Sequence, residues 1–162
     1  MPTQLATVAD ALRRAREGEG GGNQTAAEML KELQQLHAIM DHCIEAIPEV
    51  VNQPNPDRNR IVDMRWRFAQ ARASRHFLVE RICAHLGLDA DPAVAEAIAS
   101  VRDANRKILV GSAWLISQWT LDRVCNHWNE YRSEMTNVRS RWRANVEKEK
   151  AVLYPLLARR GL

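Results

Sequence analysis

Residues 121–155, LDRVCNHWNEYRSEMTNVRSRWRANVEKEKAVLYP, decide the fold. Stepping alternately three and four residues from Leu121 meets Val124, Trp128, Tyr131, Met135, Val138, Trp142, Asn145, Glu149 and Val152. That spacing keeps one stripe of an α-helix turned toward its neighbours, and the stripe is apolar until Asn145 and Glu149. Thr120 supplies a cap at the start, so the reading predicts a helix from there to about Tyr154, with Pro155 ending or kinking it.

Working outward, three more segments carry the same period. Thr25-Ala26-Ala27-Glu28 is a capping box, and it predicts a helix to about Ile47, before Pro48, Pro54 and Pro56. Its inward stripe is Ala26, Leu30, Leu33, His37, Met40, Ile44 and Ile47. Asn55-Pro56 predicts the start of a second helix that reaches Gly87. It carries two adjacent apolar stripes, of which one reads Val62, Trp66, Ala69, Ala73, His76, Glu80 and Cys83. Asp91-Pro92 opens a third helix to about Gln118, which tolerates Gly111 at a cost of about 1 kcal/mol relative to alanine. Its stripe is Val94, Ile98, Val101, Asn105, Ile108, Ser112 and Leu115. Four helices joined by short loops predict an all-α fold, an antiparallel up-down four-helix bundle over residues 25–162. Residues 1–24 read as a short N-terminal helical arm. Leu5, Val8 and Leu12 lie on one side of a helix over 3–16, and a glycine-rich joint follows.

Composition agrees with a single globular unit. At 162 residues and 46% hydrophobic, the chain can bury roughly 70% of its unfolded surface without a disulfide scaffold or a folding metal. Any metal would therefore be functional. No apolar run approaches the roughly 18 residues of a membrane span, and Met1-Pro2-Thr3-Gln4 opens no signal-peptide pattern. Cys43, Cys83 and Cys125 are odd in number with no CxxC spacing, so the expected compartment is a reducing cytoplasm.

Arginines gather at Arg58, Arg60, Arg65, Arg67, Arg72, Arg75 and Arg81, a pattern that can meet phosphates. With 20 acidic residues interleaved and no nucleic-acid-binding motif, a solvated face is the expected reading and nucleic acid is not an expected partner. Ser112 lacks the neighbouring His and acid of a nucleophile, and no glycine-rich phosphate loop occurs. The tryptophans, Trp66, Trp114, Trp119, Trp128 and Trp142, are expected in the core or at a subunit interface.

Chemistry concentrates in the polar members of the inward stripes. His37, His76, Glu80 and Glu149 all point at the expected core, and an ionised carboxylate there costs several kcal/mol unless it is partnered. Two imidazoles and two carboxylates make a first shell for iron, manganese or zinc. The alternative is a buried polar network, with Glu80 or Glu149 paired to His76 or Arg75.

These residues resemble the hemerythrin-like (HHE) family, four-helix bundles that hold a non-haem di-iron centre between their helices. His76-Phe77-Leu78-Val79-Glu80 is like the family's HxxxE on the second helix, and Glu149-Lys150-Ala151-Val152-Leu153-Tyr154-Pro155 is like its EExxLFP ending. The resemblance spans roughly residues 25–155. It implies His37 as the first-helix ligand, with His42 the competitor; His42 lies about 200° around the helix from Met40. It further implies His76 and Glu80 as the second-helix pair, and Glu149 as the fourth-helix carboxylate. Two family positions differ: the fourth-helix histidine is Asn145 here, and the third helix has no histidine. The implied outcome is a site for a single metal ion on His37, His76, Glu80 and Glu149, or loss of metal with the fold kept. The expected role is a sensor or binding protein, with a metal-free interaction scaffold as the second reading and a small metal-dependent oxidase as the third. A homodimer or a protein partner fits either of the first two. Register sets one constraint, because roughly ten residues follow His37 on its helix and roughly nineteen precede His76, a level difference of about 13 Å.

Overall fold

The computed structural model describes residues 24–162. The arm expected over 3–16 and the glycine joint up to residue 23 lie outside the described residues. Among the described residues the chain is all-helical, with five helices and no strand. These are α1 (Ala26–Val51), α2 (Arg58–Gly87), α3 (Pro92–Gln118), α4 (Leu121–Asn126) and α5 (Trp128–Arg160).

The starts follow local capping chemistry. Thr25 Oγ1 accepts from the Glu28 backbone N–H while the Glu28 carboxylate accepts from the Thr25 N–H, which satisfies two orphan donors reciprocally. Asp91 accepts from Val94 N–H at 2.9 Å, with Pro92 in the first turn, where its missing N–H costs nothing. Thr120 caps α4 through the Arg123 N–H.

Four boundaries differ from the sequence expectation, each for a physical reason. Helix α1 runs through Pro48 to Val51. Val50 and Val51 are buried, and Asn52 N–H reaches the Pro48 carbonyl at 2.9 Å, so packing outweighs the lost proline hydrogen bond. Helix α2 is capped by Asp57, whose carboxylate takes the Arg60 N–H, and not by Asn55. The expected fourth helix is divided at His127, whose φ of −129° and ψ of 52° leave the helical region. Helix α5 passes through Pro155 to Arg160, carrying buried Leu157 and placing the Arg160 guanidinium on the carbonyls of His85 and Leu86.

Helix α1 packs on α2 and α5, and α3 packs on the same two helices. Trp128 Nε1 donates to Gln53 O at 3.0 Å, and Arg58 meets Asp122 at 2.6 Å. The interior divides into two apolar clusters. One is aliphatic, with Leu33, Leu36, Leu78, Ile82, Val101 and Leu153; the other contains Met40, Ile47, Ile61, Trp119, Trp128, Tyr131 and Trp142. Trp119 and Trp128 both pack on Tyr131, with ring centroids 5.4 and 6.0 Å away. Trp66 and Trp114 are instead exposed. No helix of the described residues is long and apolar enough to cross a membrane.

The α2 stripe of Val62 and Trp66 faces outward, while Ile61, Met64, Ala71, Arg75, Leu78, Ile82 and Leu86 turn inward. The inward stripe is therefore the other of the two legible in the sequence. It places one arginine in the core.

Candidate functional site: a buried polar layer

Among the described residues, six buried polar side chains lie between the two apolar clusters: His37, Ser74, Arg75, Asn105, Asn145 and Glu149. Glu149 is their centre. Arg75 Nε donates to both of its carboxylate oxygens, at 2.9 and 3.0 Å, and a second guanidinium nitrogen of Arg75 also pairs with Glu149 Oε1. Asn145, one turn earlier on α5, donates to Oε1 at 3.0 Å. His37 Nε2 lies 2.7 Å from Oε2. Burial pushes the Glu149 pKa up, but the His37 hydrogen bond and the Arg75 charge outweigh it and hold the carboxyl below its ordinary range.

An ionised carboxylate only accepts, so His37 Nε2 carries the proton of that bond. Its other nitrogen, Nδ1, stands 2.7 Å from the Tyr154 hydroxyl. Burial raises the Tyr154 pKa, which keeps that hydroxyl protonated and able to donate to Nδ1. On the opposite side, Arg75 donates to Asn105 Oδ1 at 3.0 Å, and the Asn105 amide lies 3.0 Å from His76 Nδ1. The result is one hydrogen-bonded line, Tyr154, His37, Glu149, Arg75, Asn105, His76. It ties α1, α2, α3 and α5 together at one level. The Arg75 guanidinium also lies 5.1 Å from the centre of the Trp142 ring, so its face is covered as well.

The four residues singled out from sequence are thus distributed unequally. His37 and Glu149 are in direct contact deep in the core. His76 joins the same layer at its half-buried edge, through Asn105. Glu80 is about 41% exposed and sits 3.4 Å from Arg102 Nε, on the α3 side of α2. His42 is exposed. The register constraint relaxes, because α1 extends past Ile47 and α2 begins after Pro56, which cuts the level difference between His37 and His76 to roughly 6 Å.

Among the described residues, no three His, Cys, Asp or Glu side chains gather into a metal-holding cluster. Nor does the donor set fit a cation as arranged. Both Glu149 oxygens are taken by a guanidinium, and a guanidinium has no lone pair to offer a metal. The counter-charge that a metal would bring to Glu149 is supplied by Arg75 instead.

Arg75 is the partner that the alternative buried network offered for Glu149, and it comes from an α2 face that also buries Ile61, Met64, Ala71, Leu78, Ile82 and Leu86. Asn105 and Asn145 stood on inward stripes as well. Tyr154 belongs to the Glu149–Pro155 motif, but its role in the layer comes from its contact with His37, 117 positions away. Cys83, one turn past Glu80, is a buried thiol whose pKa burial pushes up to about 11, which makes it a packing group at neutral pH. No family model, curated protein or solved structure matches this chain.

Proposed function

We propose that α1, α2, α3 and α5 form an antiparallel up-down bundle of the hemerythrin-like kind that works without metal, as a binding or interaction protein rather than an enzyme. The single observation that carries this reading is the Arg75–Glu149 pair. A fully buried guanidinium neutralises the carboxylate that the family resemblance assigns to a metal, with Asn145 adding a hydrogen bond to Glu149 and Asn105 accepting one from Arg75. A charge pair so enclosed fixes the register of the helices around it, and it presents no open coordination position for a substrate. The alternative, one metal ion on His37, His76, Glu80 and Glu149, requires Arg75 to leave Glu149 and Glu80 to leave Arg102.

Metal content distinguishes the two. Protein purified without a metal-binding tag and then reconstituted with iron is expected to carry well under one equivalent of iron, manganese or zinc per chain by mass spectrometry. About one equivalent, lost in both Glu149→Ala and His76→Ala, would overturn the metal-free reading and establish the single-metal site.

A further inference from the structure

A cavity of about 290 Å³ opens between α2, α3 and α5, on the aromatic side of the polar layer. Its walls are apolar, with Phe68, Ile108, Leu115, Met135, Val138 and Trp142 among them. The charged side chains around it are all of one sign: Arg65 and Arg72 from α2, Lys107 from α3 and Arg141 from α5. Three of the four have partners within the fold. Arg65 donates to the Tyr131 hydroxyl, Lys107 pairs with Asp103, and Arg141 pairs with Glu134. Among the described residues Arg72 makes no ion pair, and it is half-buried. Burial alone shifts its pKa, and it shifts it downward, so no carboxylate offsets the cost of desolvating that guanidinium.

An apolar chamber ringed by cations, one of them half-desolvated and without a counter-charge, is complementary to a molecule with an apolar body and an anionic head. We propose that this cavity binds a small amphipathic carboxylate, its tail among Phe68, Leu115 and Trp142 and its carboxylate on Arg72. The volume is at the small end of the range of about 300–1,000 Å³ for small-molecule pockets, which favours a medium-length chain over a full-length lipid. Gly111 on α3 lines the same space, and a Cβ placed there meets nothing within 4 Å. The bare backbone leaves room that any other residue would begin to fill. Trp142 stands between this cavity and the Glu149 layer, but none of the hydrogen-bonded residues of that layer lines the cavity, so decanoate binding and metal content are read independently.

The test is titration of the 162-residue chain with decanoate below its micelle concentration, followed by calorimetry and by tryptophan fluorescence, with decanol and decyltrimethylammonium as the neutral and cationic counterparts. One decanoate per chain is expected, with decanol at least tenfold weaker and the cation without effect. Arg72→Gln is expected to weaken decanoate at least tenfold while leaving decanol unchanged. Gly111→Phe is expected to block both without lowering the melting temperature, which separates filling of the cavity from unfolding. Equal binding of decanol and decanoate, or indifference to Arg72→Gln, would overturn the carboxylate assignment. No binding to the wild type would overturn the site. Binding that appears only in the Leu5→Asp, Leu12→Asp double variant would also overturn it, by showing that the N-terminal segment is the occupant.

Discussion

On one side of the polar layer the core is aliphatic, built on Leu33, Leu36, Leu78, Ile82 and Leu153; on the other it is built on Trp119, Trp128, Tyr131 and Trp142. Helix α3 serves the two sides differently. Ile98 and Val101 are buried against the aliphatic cluster, but past Asn105 the helix buries nothing completely, and Leu109, Val110, Trp114 and Ile116 are exposed. The core is thus covered by α3 at its aliphatic end and left open at its aromatic end. Branched aliphatic side chains interdigitate and fill space at the first end, whereas at the second Phe68 meets Trp142 edge to face at 5.3 Å beside the open cavity. The cavity lies at the aromatic end.

The largest effects are expected at the boundary between the two sides. Removing one partner of the buried pair, as Arg75→Met or Glu149→Leu, leaves an uncompensated charge, and each single variant is expected to lose about 3–5 kcal/mol in urea unfolding. The double variant is expected to recover most of that loss, because both charges leave and the two apolar clusters merge. Losses that simply add in the double variant would mean that the pair is not a closed unit. The same carboxylate sets an acid limit. With a folded pKa below its ordinary value of 4.5, Glu149 contributes stability that is fully present above about pH 4.5 and is lost as pH falls through the folded value. Glu149→Gln is expected to flatten that part of the stability curve, and an unchanged curve would remove Glu149 as its cause.

The two ends are compared directly by deleting an isoleucine from each. Ile82 is fully buried in the aliphatic cluster, and Ile82→Ala is expected to cost about 2–5 kcal/mol. Ile108 is half-buried at the cavity wall, and Ile108→Ala is expected to cost about 1 kcal/mol, since its side chain already lacks neighbours on one side. Equal losses would mean that both ends are packed alike. The smallest expected effect is a gain: Gly111→Ala is expected to stabilise the protein by about 0.5–1 kcal/mol, because the position is helical and the added methyl enters open space. A loss of stability there would show that α3 closes over the cavity in solution.

Much of this architecture was legible without coordinates. The stripe from Val124 to Glu149 is buried throughout, and so is the α1 stripe with His37 in its midst apart from half-buried Leu30, because a 3.6-residue period fixes which side chains share a face. Thr25, Asp91 and Thr120 were readable as caps, because a side-chain oxygen reaching the third N–H is a matter of neighbours in sequence. Helix α2 was the ambiguous element. Its two apolar stripes are equivalent by period, and only packing selected Ile61, Met64, Arg75 and Ile82 over Val62, Trp66 and Glu80.

The sequence by itself determined the helices, their approximate ends and the presence of His37 and Glu149 on inward faces, since these depend on contacts spanning a few residues. The tertiary structure alone decided that Pro48 and Pro155 lie within helices, that the last helix breaks at His127, and that Arg75, not Glu80, meets Glu149. Each of those outcomes depends on burial or charge supplied by residues tens of positions away. A local pattern offers alternatives, and the free energy that selects among them exists only once the helices are assembled.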